Sequence, residues 1–502
     1  MLETSAMVER HDLRFAYHGP KKDERPVLLR NAPHEAGVGG WGTVLRENDA
    51  FRMWHRVAPA AVDGEWVDES SIIGYAESAD GVRWERPDIG LVEHGGDCKN
   101  NYTDLPFSSG SVMPDVTGEH RYLAVGMVIR ESVPEERWPW PDLRSGYYGA
   151  HSEDGLHWTL HPEPIALTRC DVCSGAYDEI EQRYVFIPKL NTRFGGLMLR
   201  SMCWADTRLF GEWGPIRPIL TPDEGDFLEA RRHGAVGMDF QYMTILPYRD
   251  VTLGFVSCFY LDPSYVPSGA CTHGRNNVQL AWQEKRIRQG GPHPLYPDRH
   301  EYQSRVDNAS PYGAAWRFLP SRPAFIPWGE ERGTESDVYP GSLVEVDDEM
   351  WMYYTATTAW HGETQVRGTY AYADGTAGVK QERGTSWVGR AVMKRDRFVS
   401  LWANVRGMVE LRHGPRDGQR LLVNARCPRG FVKAEIVDQN TYKPVPGFEK
   451  QNCIAFNGDS VRGELVWKDR PIADIPEDTD LTLRFYIETG DLFAYEFDEP
   501  GT

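Results

Sequence analysis

A seven-residue phrase that occurs twice is the feature of this chain that most constrains its fold. Ser78–Trp84 reads SADGVRW and Ser152–Trp158 reads SEDGLHW, and each copy follows a short apolar segment. Asp hydrogen-bonds its own backbone and Gly accepts a positive φ, so each copy predicts a tight turn after a strand, next to the large apolar face of a Trp. A strand–turn–Trp unit that recurs is typical of a radial β architecture.

Weaker copies of this unit predict further blades. They lie at Ser201–Asp206, Leu280–Glu284 and Val388–Val392. Five units over about the first 400 residues predict a five-bladed β-propeller, and after Trp402 alternating strands continue without the phrase. We therefore predict an all-β protein, with a propeller that carries the functional site at 1–402 and a C-terminal antiparallel β-sandwich at 403–502.

Composition narrows the class of protein. Among 502 residues there are 17 Trp, 23 Tyr and 19 Phe, with 49 Gly and 34 Pro, which fits many short strands joined by turns. The formal net charge of −19 argues against a nucleic-acid or membrane partner, since both require basic patches. The first residues do not resemble a signal peptide, and the eight scattered cysteines indicate reduced thiols, so we predict a cytoplasmic protein. The pair Cys170 and Cys173 is more typical of packed thiols than of half a zinc site, and no metal or cofactor is predicted.

Carboxylates stand where the predicted blades begin. Asp171 opens the third blade, Asp239 the fourth, and Glu335 with Asp337 the fifth. Asp and Glu are depleted in strands, and the first strands of a propeller converge on its axis. We expect these four acids to share one funnel and to divide into protonated and ionised groups, as catalysis by paired carboxylates requires. The alternative is that each acid caps a turn or ties neighbouring blades, the role that we assign to Asp80 and Asp154.

Polar and aromatic residues near the predicted funnel are candidates for binding substrate. They are Arg52, His55, Asn100, Asn101, Asp104, Trp360 and His361. Trp328 and Tyr339 are further candidates, because aromatic faces bind the apolar side of a sugar ring. With 17 tryptophans in the chain, most must serve to pack the blades.

Two stretches of sequence resemble a known family. They are Tyr75–Glu93 followed by Asn100 and Asn101, and Met350–Tyr354 followed by His361 and Gly362. They resemble five-bladed propeller proteins of the glycosyl hydrolase type, related to the invertase/levanase and arabinanase/xylosidase clans. The resemblance implies a glycosidase driven by three carboxylates, with a trailing β-sandwich. The Asn-Asp-Pro motif of the invertase-like clan is not intact, because Asn48 and Asp49 are followed by alanine, so its residues are not carried over.

These observations lead to one functional hypothesis and two alternatives. We predict a glycoside hydrolase or transglycosylase that acts on a furanoside or a short oligosaccharide, with one carboxyl protonating the leaving oxygen and a second attacking or activating water. The first alternative is a non-catalytic carbohydrate-binding propeller, in which Arg or Lys would pair with the funnel acids. The second is a glycoside phosphorylase, which would need a cationic group such as Arg231–His233 beside the acids. The partner is a carbohydrate in each case. The sequence also leaves a homo-oligomer open as an alternative, in which the sandwich or the segment 289–311 would close the funnel of a neighbouring copy.

Overall fold

The structure, a computed structural model, comprises two compact units. It describes residues 7–60, 72–130, 143–168, 170–194, 197–249, 251–262, 273–284, 316–319, 321–330, 334–361, 385–468 and 470–498, so the segment 289–311 lies outside the described residues. The propeller unit is Pro20–Val344 with Trp351–Val392. The C-terminal unit is Met1–Gly19, Glu345–Met350 and Met393–Thr502.

The N-terminal strands are divided between the two units. Strands β1 (Met7–His11) and β2 (Arg14–Tyr17) pair with Val399–Gly414 in the C-terminal unit. Strands β3 (Lys21–Lys22) and β4 (Leu28–Leu29) pair with Ser386–Lys394 in the propeller. The observed division therefore differs from the predicted boundary at residue 402, which falls inside a strand, because β1 and β2 pair with a strand of the C-terminal unit.

Five antiparallel sheets make up the propeller and confirm the predicted blade number. Blade 1 has β5 (Glu35–Glu47), β6 (Ala50–Pro59) and β7 (Ile72–Ser78). Blade 2 has β8 (Ser109–Pro114), β9 (Tyr122–Val128), β10 (Gly146–Ser152), β11 (Thr159–Leu160) and β12 (Ala166–Leu167). Blade 3 has β13 (Cys173–Asp178), β14 (Arg183–Phe194), β15 (Leu197–Thr207) and β16 (Arg217–Leu220), and helix α1 (Glu224–Arg232) follows it. Blade 4 has β17 (Gly237–Tyr248), β18 (Val251–Leu261), β19 (Gly274–Glu284), β20 (Arg317–Phe318) and β21 (Ala324–Ile326). Blade 5 has β22 (Asp337–Val346), β23 (Glu349–Thr357) and β24 (Ser386–Lys394), and it is completed by β3 and β4.

The first strands of the blades are tied to one another around the axis. The amide of Val112 on β8 donates to Oγ1 of Thr43 on β5 (2.9 Å), and the amide of Val44 donates to Oγ of Ser342 on β22 (2.9 Å). Farther round, Oγ of Ser174 on β13 donates to a carbonyl of β17 (2.6 Å). These bonds satisfy polar groups that the close approach of the strands buries. They hold neighbouring first strands side by side around the axis.

The repeated phrase forms a latch between neighbouring blades. In both copies the serine Oγ accepts the glycine amide (2.8 Å), and the aspartate Oδ1 accepts the two following amides, which confirms the turn role of Asp80 and Asp154. The Gly81 carbonyl accepts a bond from the Tyr353 hydroxyl of blade 5 (2.8 Å), and the Gly155 carbonyl accepts one from Nε1 of Trp54 in blade 1 (2.7 Å). Each turn thus packs on the middle strand of the preceding blade.

The C-terminal unit is built on one seven-stranded sheet. Its strands after the propeller are β25 (Val399–Gly414), β26 (Arg420–Asp438), β27 (Lys443–Pro444), β28 (Phe456–Leu465) and β29 (Leu481–Asp498), with a 3-10 helix at Ile472–Asp474. Side chains alternate along these strands. One face carries a buried apolar core that includes Val409, Val432 and Phe485.

Two further observations concern the whole chain. The seven cysteines in the described part of the chain are free thiols. None of the helices described is long and apolar enough to cross a membrane. The cytoplasmic location stays a prediction.

Candidate functional site

Asp171 is the most accessible of the predicted acids. It lies two residues before β13, and its side chain is 51% exposed. The ammonium of Lys189, a buried residue on β14, forms an ion pair with Oδ1 of Asp171. The surrounding protein raises the pKa of Asp171, but the charge and hydrogen bond of Lys189 outweigh this effect and bring the pKa down to about 2. Asp171 is therefore ionised throughout the physiological range.

The pKa of Asp239 is shifted in the opposite direction. It lies on β17 with 10% of its side chain exposed, and Oδ1 accepts the backbone amide of Arg200 (3.2 Å), whose Nε lies 4.0 Å from Oδ2. Burial raises the pKa of Asp239, and the charges of Arg200 and Lys189 only partly oppose it. Gln241 holds the guanidinium through Oε1 (2.9 Å). The neighbouring acids Asp171 and Asp239 thus have pKa values shifted in opposite directions.

Asp337 is the third acid and is almost completely buried at the start of β22. Oδ1 accepts hydrogen bonds from the backbone amide and from Nδ2 of Asn276 (3.0 Å for Nδ2), and Oδ2 accepts the hydroxyl of Tyr339 (2.5 Å). Burial raises the pKa of Asp337 to about 7, although each of these bonds favours the ionised form.

Tyr339 connects the three acids, which we call the acid cluster (Asp171, Asp239 and Asp337). Burial raises the pKa of Tyr339 well above its ordinary value, and the negative charges of Asp337 and Asp171 raise it further. The positive charge of Arg200, the partner of Asp239, lowers it. One phenol therefore lies within electrostatic range of groups from blades 3 and 5, and its oxygen accepts a hydrogen bond from Nδ2 of Asn276 in blade 4 (3.1 Å).

Trp41, on β5 of blade 1, contacts Tyr339 and was not identified in the sequence analysis. Gly39 pairs with Arg56 and Thr43 with Trp54, so three residues of β5 stand opposite one of β6, and this bulge carries Trp41. The indole lies edge to face with Tyr339 (centroids 5.0 Å apart, 83° between planes), and the Arg56 guanidinium carbon is 4.6 Å from its ring centre. Among the described residues its Nε1 has no hydrogen-bond partner. The signal in the sequence is the run of glycines on either side of Trp41.

Two of the predicted substrate-binding residues lie beside the acid cluster. The ring of His361 packs against Phe259 on β18 (4.9 Å), and its positive charge, when present, lowers the pKa of Asp171. Trp360 contacts His273 (5.6 Å) and the guanidinium of Arg275 (5.5 Å), the residue before Asn276.

Glu335, the fourth predicted catalytic acid, has its described contacts within blade 5. Its carboxylate is paired with the ammonium of Lys22 on β3 and accepts the hydroxyl of Tyr354 on β23 (2.7 Å). The Lys22 ammonium also donates to the carbonyl of Pro327 (2.5 Å). These contacts fasten the closing strand β3 to β23.

Two further predicted binding residues, Arg52 and Asp104, make local contacts in blades 1 and 2. Arg52 pairs with Glu47 at the hairpin end of blade 1 (3.2 Å), and Asp104 accepts the amide of Trp158 in the second latch (2.7 Å). The hairpin there turns at Asn48 and Asp49, whose φ values are 47° and 67°, as a two-residue turn requires.

The asparagine pair lies along the outer edge of blade 1, where the next residue, Tyr102, forms a single bridge with Gly74. Asn101 accepts the Tyr75 amide through its carbonyl (2.9 Å) and returns a bond from Nδ2 to the Tyr75 carbonyl (2.8 Å). Nδ2 of Asn100 donates to the Val92 carbonyl (2.7 Å). His55 is fully buried beside Asn101, and burial lowers its pKa to about 3. Buried amides need partners, which explains why these polar residues are internal.

The described residues were compared with the arrangement that a metal site requires. They contain no group of three His, Cys, Asp or Glu side chains placed to hold an ion. Cys173 is buried, which raises its pKa well above the ordinary value. This thiol is therefore protonated.

The fold is a five-bladed β-propeller, and the resemblance stated from the sequence is confirmed at the level of this fold. No family model matches the chain, and no curated protein matches it. A solved structure described as a glycoside hydrolase is similar with a TM-score of 0.44 and 12% identity, over 74% of this chain and 92% of that one. An N-acetylgalactosamine deacetylase from F. plautii, in complex with blood group B trisaccharide, is similar with a TM-score of 0.43 and 11% identity, over 77% of this chain and 97% of that one. A family 32 β-fructofuranosidase from Bombyx mori is similar with a TM-score of 0.40 and 11% identity, over 95% of each chain.

Proposed function

We propose that the protein is a glycoside hydrolase or transglycosylase that acts on a furanoside or a short oligosaccharide. The observation that carries the proposal is the opposed shift in the pKa values of two neighbouring acids, because burial raises the pKa of Asp239 while Lys189 holds that of Asp171 at about 2. Two carboxyl groups whose surroundings separate their pKa values are what acid and base catalysis at a glycosidic bond requires.

In this mechanism each acid has a separate task. Asp239, protonated, donates its proton to the leaving oxygen, and Asp171, ionised, attacks the anomeric carbon or activates the water that does so. Asp337 lies behind Tyr339 and Asn276 and positions them, since it is almost completely buried. Trp41 provides an aromatic wall for the sugar ring.

One observation favours a second candidate, the non-catalytic carbohydrate-binding propeller. Asp171 is paired with Lys189 and Asp239 with Arg200, the pairing expected of inert acids. We prefer the enzyme because Arg200 does not offset the burial of Asp239, whose pKa stays raised.

A hydrolysis screen tests the proposal. The protein is assayed on aryl furanosides, aryl pyranosides and natural oligosaccharides, with and without orthophosphate, alongside Asp171→Asn, Asp239→Asn and Glu335→Gln. Each of the first two variants should lose about 10³-fold or more in kcat/KM, and Glu335→Gln should lose little. Glu47→Gln is the matched control, since that carboxylate is also ion-paired but lies at the hairpin end of blade 1.

The leaving group separates the two roles. Asp239→Asn should lose less activity on aryl glycosides with acidic phenols than on those with basic phenols, because a good leaving group needs no proton. Asp171→Asn should lose activity on both. Binding without turnover on any sugar would favour the second candidate, and turnover that depends on orthophosphate would identify a phosphorylase.

The C-terminal unit is proposed to be a β-sandwich. Its long strands β25, β26 and β29 all contribute to one apolar core, and β26 has an irregularity between Arg426 and Phe431. A long strand interrupted by a bulge can pass from one layer of a sandwich to the other.

A further inference from the structure

A second cleft lies in the C-terminal unit, on the face of the sheet opposite its apolar core. Its volume is about 540 Å³, within the range of roughly 300–1,000 Å³ that small-molecule sites occupy. Two rows of directly paired residues cross the cleft. One row is His11, Met408 and Tyr486, and the other is Arg406, Glu488 and Phe431.

The floor of this cleft is apolar and aromatic. Met408, Phe431 and Tyr486 are each only half-buried, although residues on the opposite face of the same strands, such as Val409 and Phe485, are completely buried in the core. The hydroxyl of Tyr486 is engaged by Glu435, which fixes the ring. The Lys450 ammonium lies 3.7 Å from the centre of that ring, where a ligand would displace it at a cost of only about 1 kcal/mol.

The border of the cleft is polar and electrically balanced. Arg406 and Lys450 supply two positive charges, and Asp12 and Glu488 supply two negative ones. Arg406 is 80% exposed, and its Nε donates to Glu488 (2.7 Å). Equal charges of both signs provide donors and acceptors for hydroxyl groups while giving no net attraction to an anion.

From this floor and border we propose that the cleft is a second carbohydrate-binding site, which takes a neutral oligosaccharide. A sugar ring presents an apolar face for Phe431 and Tyr486 and a rim of hydroxyls for the four charged groups. The ligand class rests on the proposed function, since a chain segment extending from the propeller's own substrate has this chemistry. The site itself rests on the C-terminal unit alone.

Affinity electrophoresis of the full chain tests the proposal. Gels contain inulin or debranched arabinan as neutral probes and polygalacturonate as the anionic probe, and the protein carries Asp171→Asn so that the probe is not consumed. Arg406→Ala and Phe431→Ala should each lower the affinity for a neutral polysaccharide, measured from the retardation, at least tenfold. Val405→Ala, at an exposed neighbour that does not line the cleft, is the control and should bind like the parent.

The outcomes separate this proposal from the proposed function. Arg406→Ala in the otherwise unchanged chain should hydrolyse a small aryl glycoside as the parent does, because the cleft is not part of the acid cluster. Retardation that is unchanged in Arg406→Ala and Phe431→Ala overturns the second site even if hydrolysis is established. Absence of retardation on both neutral gels, or retardation on polygalacturonate alone, also overturns it. Arg406→Ala removes only an exposed side chain, so its result stands even if Phe431→Ala unfolds.

Discussion

At the scale of single residues, Asp337 makes stability depend on pH. Its pKa of about 7 lies above the ordinary value of about 4. Between about pH 4 and pH 7 the folded protein keeps a proton that the unfolded chain has released, so stability falls as the pH rises through this window, by up to roughly 1.4 kcal/mol per pH unit. We expect urea unfolding to show a lower midpoint at pH 8 than at pH 5.

Asp337→Asn should remove most of that pH dependence. An amide can still accept from Asn276 and can donate to Tyr339, and it does not titrate. The test is the difference in unfolding midpoint between pH 5 and pH 8 in the variant and the parent. Equal differences in the two proteins would contradict the assignment of the proton to Asp337.

Trp41 gives a second prediction at this scale. If it forms the wall against which the sugar ring lies, Trp41→Ala should raise KM by about 3- to 10-fold, the worth of one aromatic contact, with a smaller change in kcat. Trp41→Phe should restore most of the loss because it keeps an aromatic face. Initial rates over a range of substrate concentration measure both constants. A loss confined to kcat, or no recovery with Phe, would count against this role.

The positions of the acids could be predicted from the sequence, whereas those of their partners could not. Asp171, Asp239 and Asp337 could be predicted because carboxylates are rare at strand starts. Lys189, Arg200 and Asn276 could not, since they lie on second and third strands at no fixed spacing from the acids they bind. His55 and Asn101 were predicted to bind substrate because a sequence pattern cannot distinguish a buried hydrogen-bonded amide from an exposed one.

At the scale of elements, the latch turns determine how the blades meet. Gly155 has φ +81°, and a Cβ there would lie 2.6 Å from the Trp54 ring of blade 1. Gly155→Ala should therefore destabilise the protein by about 2–4 kcal/mol, the sum of a strained φ and an overpacked contact. Chemical denaturation measures the change.

Gly118→Ala is the matched control for the latch. Gly118 has φ +76°, but a Cβ there would meet nothing within 4 Å, so only the conformational cost of about 1–2 kcal/mol is expected. The difference between the two variants is the packing between blades. Equal losses would show that Gly155 matters for its backbone alone.

Elements with a repeated turn were predicted correctly, and elements without a pattern were not. The five repeat units coincide with the third strands β7, β10, β15, β19 and β24. Strands β3 and β4 are two residues long, so they carry no alternation that could reveal them. Their place depends on pairing with a strand more than 350 residues later, which no local signal encodes.

At the scale of the whole molecule, that pairing closes the ring of blades. Leu28 on β4 is 2% exposed, whereas its neighbour Leu29 is 46% exposed. Leu28→Ala should cost about 2–4 kcal/mol through the cavity it leaves, and Leu29→Ala should cost less than about 0.5 kcal/mol. Thermal unfolding of both variants tests this difference, and similar melting temperatures would show that closure by β4 contributes little.

Closure by an early segment also affects how the chain is made. Residues 21–29 leave the ribosome well before their partner strand, which ends at Lys394. At synthesis rates of about 5–20 residues per second, these early strands wait on the order of 20–70 s for their partner. Throughout that interval blades 1 to 4 can form in order but the ring stays open. The nascent protein therefore depends on β3 and β4 staying unpaired with anything else until the last blade is translated.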